Sequence, residues 1–183
     1  MKTIRIGSGA GYGGDRIEPA LALMREGELD YIIFECLAER TIALAQLQKK
    51  RDPAKGYNDL FAYRMDKILD VWRQKRPRVI TNMGAANPLA AAKLCVQMAR
   101  QKGLSSLKVA AVTGDDVLDR LDQFLDLPVM ETGRPLRTLA GAILSANAYI
   151  GVAGIVKALE QGADIIITGR VADPSLVLAP LVY

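Results

Sequence analysis

The sequence predicts an α/β protein whose mainly parallel sheet is doubly wound, with helices on both faces. Short runs of β-branched and other apolar residues recur without polar alternation, which is typical of strands buried on both faces. These runs are residues 31–34, 79–81, 107–112 and 164–168. Helical spacing separates them, and a glycine-rich stretch follows an earlier short strand. Such strand and helix alternation indicates a doubly wound, Rossmann-like sheet, with the front of a longer barrel as the alternative.

The first half of the chain contains three predicted strands and three predicted helices. Residues 3–8 are the first strand, and residues 19–26 form a helix that Gly27 ends. A second helix over residues 37–50 ends before the Pro and Gly of residues 52–56. Phe61, Met65, Ile68 and Trp72 then lie at helical spacing, which predicts a third helix with an apolar face. Two consecutive helices predict a helical lobe near residues 38–74, placed over one edge of the sheet.

The second half continues the alternation with less regular segments. Asn87 and Pro88 predict the start of a helix that runs to about residue 102. An amphipathic helix is expected from Val117 to Phe124, a flap near residues 127–139, and a short strand over residues 142–145. A helix over residues 152–161 precedes the last clear strand. The whole of residues 1–183 is therefore expected to be one domain, and its apolar, uncapped end predicts the front part of a longer protein.

Composition excludes several classes of function. The chain of 183 residues carries a net charge of +4 that is spread along the sequence, which does not indicate a nucleic-acid surface. It has no histidine, so a Ser-His-Asp or Cys-His arrangement is excluded within this chain, and no metal site is predicted. Cys36 and Cys95 are too few and too distant to predict a disulfide framework or a zinc site. With no signal peptide or membrane span in the sequence, the expected location is the cytoplasm.

The glycine-rich loop is the most distinctive stretch of the sequence. Gly9, Gly11 and Gly14 satisfy the G-x-G-x-x-G pattern, and Glu35 follows about twenty residues later. Two features argue against a dinucleotide there. Pro19 delays the start of the helix, and Asp15 would repel a pyrophosphate. The loop, including Gly13, is therefore expected to contribute backbone groups to a ligand site, with NAD(P) binding as an alternative.

Polar residues follow most of the predicted strands. Ligands of such sheets bind outside the carboxyl ends of the strands, so these residues are the candidate site. They are Glu35, Asn82, Asn87, Thr113, Asp115, Asp116, Asn147, Arg170 and Asp173. They lack the acid-rich cluster of a metal hydrolase.

Each candidate residue has an expected role. A carboxylate at the end of a buried strand takes up a proton more readily unless it is paired, so Glu35 is the candidate general base or hydroxyl anchor. Asn82 and Asn147 are candidate donors to a carbonyl oxygen. Arg170 is the candidate anion contact and can also pair with Asp173, a further candidate catalytic group. Asn87 is expected to be a helix cap or a substrate contact. Asp15, in the glycine-rich loop, is a further candidate contact for the substrate.

Four stretches together resemble the AtuA-like family of acyclic terpene utilisation. They are IGSGAGYGGDR (residues 6–16), DYIIFE (residues 30–35), TNMGAANP (residues 81–88) and ITGRVADPS (residues 167–175). The motifs are long and collinear, and the resemblance covers essentially the whole chain. It implies a protein of several hundred residues from gene clusters that degrade citronellol- and geraniol-type acids as CoA thioesters. It implies no assigned catalytic residues.

Three functions are consistent with these observations. The first is a lyase or hydratase acting on a branched acyl-CoA or related carboxylic substrate, in which the loop amides and Arg170 hold an anionic group. The second is an NAD(P)-dependent oxidoreductase, and the third is a non-catalytic subunit or scaffold of an acyl-CoA pathway complex. No cofactor is predicted firmly, although a CoA thioester is a possible substrate. The expected partners are a small molecule, the remaining C-terminal part of the protein or a partner subunit, and further copies of the chain in a homo-oligomer. Neither nucleic acid nor a membrane is expected.

Overall fold

Five parallel strands form one sheet in the computed structural model, which describes residues 3–183 of the chain. The strands are β1 (Ile6–Ala10), β2 (Tyr31–Phe34), β3 (Arg78–Thr81), β4 (Val109–Val112) and β5 (Ile165–Thr168). Their order across the sheet is β1-β2-β3-β5-β4. The last strand in the chain, β5, therefore lies between β3 and β4, and β4 is at the edge of the sheet. Every pairing is parallel, which confirms the predicted α/β class.

The described residues form six α-helices, and all but the second of them cover the two faces of this sheet. They are α1 (Glu18–Glu26), α2 (Glu39–Arg51), α3 (Phe61–Lys75), α4 (Pro88–Gln101), α5 (Ala153–Glu160) and α6 (Ser175–Val182). One core cluster joins α1, α3 and α4 to the sheet, and the other joins α5 and α6 to its opposite face. Successive strand residues alternate between the two clusters: Ile32 and Phe34 belong to the first, Tyr31 and Ile33 to the second. Burial on both faces is the reason that these strands are apolar throughout.

Three local expectations differ from the structure. The helix α3 does not stand out in a lobe with α2, because its fully buried residues pack between α1 and α4. Residues 118–124 form a 3₁₀ helix without a buried residue, because that segment lies outside the two core clusters. Residues 142–145 form no strand: Ala142 ends a 3₁₀ helix, the residues after it are irregular, and Asn147 makes an isolated bridge to Asp116. The segment 127–139 is irregular and largely exposed, and its role as a flap stays a prediction.

The topology creates a crevice between the ends of two neighbouring strands. The chain leaves β3 towards α4 on one face and leaves β5 towards α6 on the other, although β3 and β5 are adjacent. Loops that diverge in this way open a space at the carboxyl edge of a doubly wound sheet. Asn82 directly follows β3, and Arg170 lies two residues after β5. The predicted site residues therefore converge on this edge.

Among residues 3–183, the helices are either too short or too polar to cross a lipid bilayer.

Candidate functional site

A cavity of about 430 Å³ lies between the carboxyl ends of β1 and β2 and the helix α6. We call it the Glu35 cavity. Its polar side chains are Ser8, Glu35 and Asp173, and Gly11 adds part of the glycine-rich loop. Ile33 and Val177 supply apolar wall. Three predicted site residues, Gly11, Glu35 and Asp173, thus line one cavity of a size typical of small-molecule sites.

Glu35 is held in place by its two neighbours at the strand ends. Its Oε1 accepts a hydrogen bond from Asn82 Nδ2 at 2.8 Å and from the Leu37 backbone N–H at 2.9 Å. Within residues 3–183, no hydrogen bond from a protein donor reaches Oε2. Glu35 therefore presents a fixed carboxylate with one oxygen available to a ligand.

Asn82 links the ends of β2 and β3. This fully buried side chain accepts the Cys36 N–H at 2.7 Å through Oδ1 while its Nδ2 donates to Glu35. Both ends of the amide are occupied by protein atoms, so Asn82 positions Glu35. Its predicted role as a donor to a substrate oxygen stays a prediction, and it would use the second N–H of Nδ2.

Arg170 lies across the crevice between the strand ends. Its guanidinium is 2% exposed. It donates from Nη1 to the Leu37 carbonyl at 2.7 Å, from Nε to the Val171 carbonyl at 2.9 Å, and from Nη2 to the Asp173 carboxylate. Because Leu37 follows β2 and Arg170 follows β5, the side chain spans the end of β3 between them. These contacts tie two loops together, and a substrate anion would have to replace one of them.

A second polar group lies on the other side of Arg170. The buried Asp115 carboxylate accepts the Arg170 backbone N–H and Asn147 Nδ2 at 2.9 Å each, and Gln46 donates to Asn147 Oδ1 at 3.0 Å. Asn147 and Arg170 line a smaller cavity of about 170 Å³ beside Tyr149. Asn147 therefore lines this smaller cavity and not the Glu35 cavity. Asp116 forms an exposed pair with Lys49 instead.

The glycine-rich loop is already occupied by a carboxylate of the protein. Asp15 Oδ2 accepts the backbone N–H of Gly11 at 2.6 Å and of Tyr12 at 3.3 Å. Asp15, which was expected to repel a pyrophosphate, thus places its own carboxylate on the loop amides. Gly9 serves packing, because a Cβ there would lie 2.6 Å from the Phe34 ring.

Gly13 and Gly14 belong to a third cavity, of about 320 Å³, which we call the Leu44 cavity. A Cβ on Gly13 would lie 3.1 Å from the Cys36 carbonyl oxygen, and one on Gly14 would lie 2.7 Å from the Tyr12 ring. Gly13 therefore lets the loop lie close to the segment that follows β2, and Gly14 leaves room for the Tyr12 ring.

Asn87 is the N-cap of α4, which is one of the two roles expected for it. Its Oδ1 accepts the Ala90 N–H at 3.3 Å, while Nδ2 donates to the carbonyls of Pro53 and Lys55 at 2.8 Å each. These contacts connect the loop after α2 to the start of α4 and account for every polar atom of the side chain.

Arg64 was not among the predicted site residues, and it is 1% exposed beneath the loop. It donates from Nη2 to the Asp15 carbonyl at 2.6 Å and from Nη1 to Cys36 Sγ at 3.0 Å. Burial raises the pKa of the Cys36 thiol to about 11, although Arg64 opposes that change. Arg64 lies within the apolar spacing of α3, and a charged residue at a core position was the available signal.

The pair of Glu39 and Tyr149 was also missed. The Tyr149 hydroxyl donates to the Glu39 carboxylate, and this bond lowers the pKa of Glu39 and raises the pKa of Tyr149. The Tyr149 ring stacks on Arg170, with the guanidinium carbon 4.5 Å from the ring centroid. The two residues are 110 positions apart, and no local pattern in the sequence relates them.

The part of the chain that the structure describes contains no group of three or more Cys, Asp or Glu side chains placed to hold a metal ion. The Glu35 cavity instead offers one positioned carboxylate oxygen, a second carboxylate and apolar walls. That set is suited to proton transfer on a small molecule.

Comparisons with known proteins give one result on family. A model of the family described as "Acyclic terpene utilisation family protein AtuA" matches residues 4–183. No curated protein and no solved structure gives a significant match to the chain.

Proposed function

Because the chain belongs to the acyclic terpene utilisation family AtuA, we propose that it is an enzyme of lyase or hydratase type. Its substrate in this proposal is an acyl thioester, such as a branched acyl-CoA, whose acyl group enters the Glu35 cavity. Glu35 moves the proton. The proposal places the reaction at the carboxyl ends of β1 and β2.

The geometry of Glu35 is the observation that carries this proposal. Both of its protein hydrogen bonds end on Oε1, at 2.8 and 2.9 Å, while the residue lines a cavity of about 430 Å³. A general base needs a fixed orientation and an oxygen within reach of the substrate proton. Asn82 and Leu37 supply the orientation, and the cavity gives access.

The charges of the cavity favour a thioester over a free acid. Its ionisable side chains are Glu35 and Asp173, and no Lys or Arg is among the described residues that line it. Arg170 pairs with Asp173 from behind this wall and offsets part of that charge. A substrate carboxylate would be repelled by Glu35, whereas the carbonyl of a thioester is uncharged. The phosphates of a CoA group would lie outside the cavity.

Hydration of a double bond shows how one carboxylate can serve. Glu35 takes a proton from water as the water oxygen bonds to the β-carbon of an unsaturated acyl group. The α-carbon then takes up that proton, so one molecule of water is added and Glu35 is again a carboxylate. A lyase reaction runs the same proton transfer in the other direction. The nicotinamide alternative is less consistent with the site, since the Asp15 carboxylate already occupies the loop amides.

Proton exchange in D₂O tests the proposal without knowledge of the net reaction. The protein is incubated with short and branched acyl-CoAs, and deuterium in the acyl chain is measured by mass spectrometry. We expect incorporation by the wild type and a loss of at least about 100-fold in Glu35→Gln, the range typical of general base removal. Thermal shifts with acyl-CoA, with the free acid and with NAD(P)H report binding separately.

Glu26→Gln is the matched control, because Glu26 ends α1 on the surface, away from the cavity. It should exchange like the wild type. Full exchange by Glu35→Gln would remove the proposed role of Glu35. A thermal shift with the free acid or NAD(P)H alone would contradict the substrate class. Absence of any shift and any exchange would favour a scaffold.

A further inference from the structure

We propose that the Leu44 cavity is a separate binding site for an uncharged, mainly apolar small molecule that carries one hydrogen-bonding oxygen. The cavity lies between the glycine-rich loop, α2 and the segment before α3. It shares no lining residue with the Glu35 cavity. The proposal therefore does not depend on the reaction proposed above.

The floor of the Leu44 cavity is buried and apolar. Leu37, Ala45 and Ala85 are 4%, 5% and 2% exposed, and they belong to a small core cluster of their own between α2 and the loop after β3. This cluster is separate from the two that cover the sheet. The floor is thus a preformed apolar surface beside the main cores, as in typical small-molecule pockets.

Large apolar side chains stand exposed around the mouth. Tyr12, Leu44 and Leu60 all line the cavity, and they are 61%, 50% and 38% exposed. Exposed apolar groups that ring a concave apolar floor indicate a ligand site more strongly than scattered ones do. A ligand that fills the cavity would remove part of all three side chains from water, which stabilises the complex.

The charges of the wall define the class of ligand. Asp59 is the charged residue among the described ones that line the cavity, and none of the others is Lys or Arg. Burial raises the pKa of Cys36 to about 11, so this lining thiol is neutral at physiological pH. A carboxylate or phosphate would meet Asp59, and no Lys or Arg of the described chain lines the cavity to compensate. Arg64 lies beneath the cavity, engaged by the Asp15 carbonyl and Cys36 Sγ. Asp59 is exposed to water and already accepts from Gln48, so it attracts a cation only weakly. The ligand is therefore uncharged.

One amide supplies the polar contact. Asn58 lines the cavity, and its Oδ1 accepts the Leu60 N–H at 2.9 Å. Its Nδ2 donates to no acceptor within residues 3–183 and lies next to the loop, 3.3 Å from the position of a Cβ on Gly13. An oxygen of the ligand can accept from this amide. Among the other polar side chains, Gln48 is engaged with Asp59 and Thr41 with the Ala38 carbonyl.

NMR titration with 1-octanol and with octanoate tests the site, since the two probes differ chiefly in charge. We expect 1-octanol to shift the amide resonances of Gly13, Gly14 and Leu44, with no change at Ser8 or Val177 of the Glu35 cavity. Octanoate should bind at least about tenfold more weakly, because its charge meets Asp59 and no cation. Equal binding of octanoate would overturn the assignment of an uncharged ligand.

The helix α2 provides a matched pair of variants. Leu44 and Leu47 are both exposed on this helix, but only Leu44 lines the cavity. We expect Leu44→Gln to weaken 1-octanol binding about tenfold, as loss of a buried apolar contact does. Leu47→Gln should bind like the wild type. Equal loss in both variants, or shifts that centre on Val96 in the groove beside β4, would show non-specific binding and overturn the site.

Discussion

Single residues in this protein satisfy several partners at once. Arg64 holds both the Asp15 carbonyl and the Cys36 sulfur, and Arg170 joins two loops. Buried polar groups need such partners because desolvation without hydrogen bonds costs free energy. Within residues 3–183, no buried side-chain nitrogen or oxygen lacks a partner. The site is therefore built on a satisfied polar layer beneath the cavities.

The two cysteines predict how stability depends on pH. Burial raises the thiol pKa from 9.0 to about 11 for Cys36 and to about 12 for Cys95. A raised folded-state pKa contributes stability that is complete below the unfolded value and lost as the pH rises above it. We expect unfolding free energy to fall between about pH 9 and pH 11, by roughly 3 kcal/mol for Cys36. Urea titrations across this range measure it.

Cys36→Ala and Cys95→Ala separate this effect from other alkaline losses. Each variant removes one buried thiol, so the fall in stability above pH 9 should become shallower in each. Both start from a lower stability at neutral pH, because each leaves a small cavity. An unchanged pH slope in both variants would contradict the raised thiol pKa values.

At the level of elements, the close packing of the loop after β3 on the end of β5 defines the crevice. A Cβ on Gly84 would lie 2.5 Å from the Thr168 carbonyl oxygen and 2.8 Å from Pro88 Cα. Both atoms are backbone and cannot move aside as a side chain does. The register Thr81↔Ile167 brings the two strand ends level, so the contact follows from strand order.

Gly84→Ala should therefore destabilise the protein by about 3 kcal/mol, the upper range of overpacking. Gly141→Ala is its control, because a Cβ there meets no atom within 4 Å. Chemical denaturation of both variants measures the difference. A Gly84→Ala protein as stable as Gly141→Ala would contradict the close packing of Gly84 against Thr168 and Pro88.

At the level of the whole molecule, buried residues are distributed unevenly along the chain. The sheet and the helices on its faces hold the buried core, whereas the two 3₁₀ helices Leu118–Phe124 and Leu136–Ala142 contain no buried residue. Local opening is easiest where few apolar contacts are lost. The segment between β4 and α5 should thus open before the sheet does.

Limited trypsin digestion should cut this segment first, after Arg120 or Arg137. Both arginines are exposed in the irregular region, where a protease can bind the backbone without unfolding the core. Mass spectrometry of early fragments identifies the sites. First cleavage after a basic residue of α1, α3 or α4 would contradict this order of stability.

Much of the fold could be predicted from local patterns. Continuous β-branched runs located β2, β3 and β5, and Asn87 with Pro88 located the start of α4. Prediction failed at residues 142–145 and 117–124, whose apolar residues fit a strand or helix but find no sheet or core to pack on. Propensity is a weak guide where tertiary packing decides the outcome.

The site was predicted less completely than the fold. Glu35, Gly11 and Asp173 come together because each follows or ends a parallel strand, and parallel strands end at one edge. Arg64 and the Glu39–Tyr149 pair were missed, because their partners lie far away in the chain. No periodicity reports such partners.

The sequence alone determined the α/β class, the approximate strands and the carboxyl edge as the place for polar chemistry. These follow from hydrophobic periodicity and turn residues, which act over a few neighbouring positions. Only the tertiary structure decided that Asp15 occupies the loop amides, that Arg170 spans the crevice, and that both protein hydrogen bonds to the Glu35 carboxylate end on Oε1. The reason is physical: hydrogen-bond partners are chosen by which strands are neighbours, and the order β3-β5-β4 is settled by packing of the whole chain.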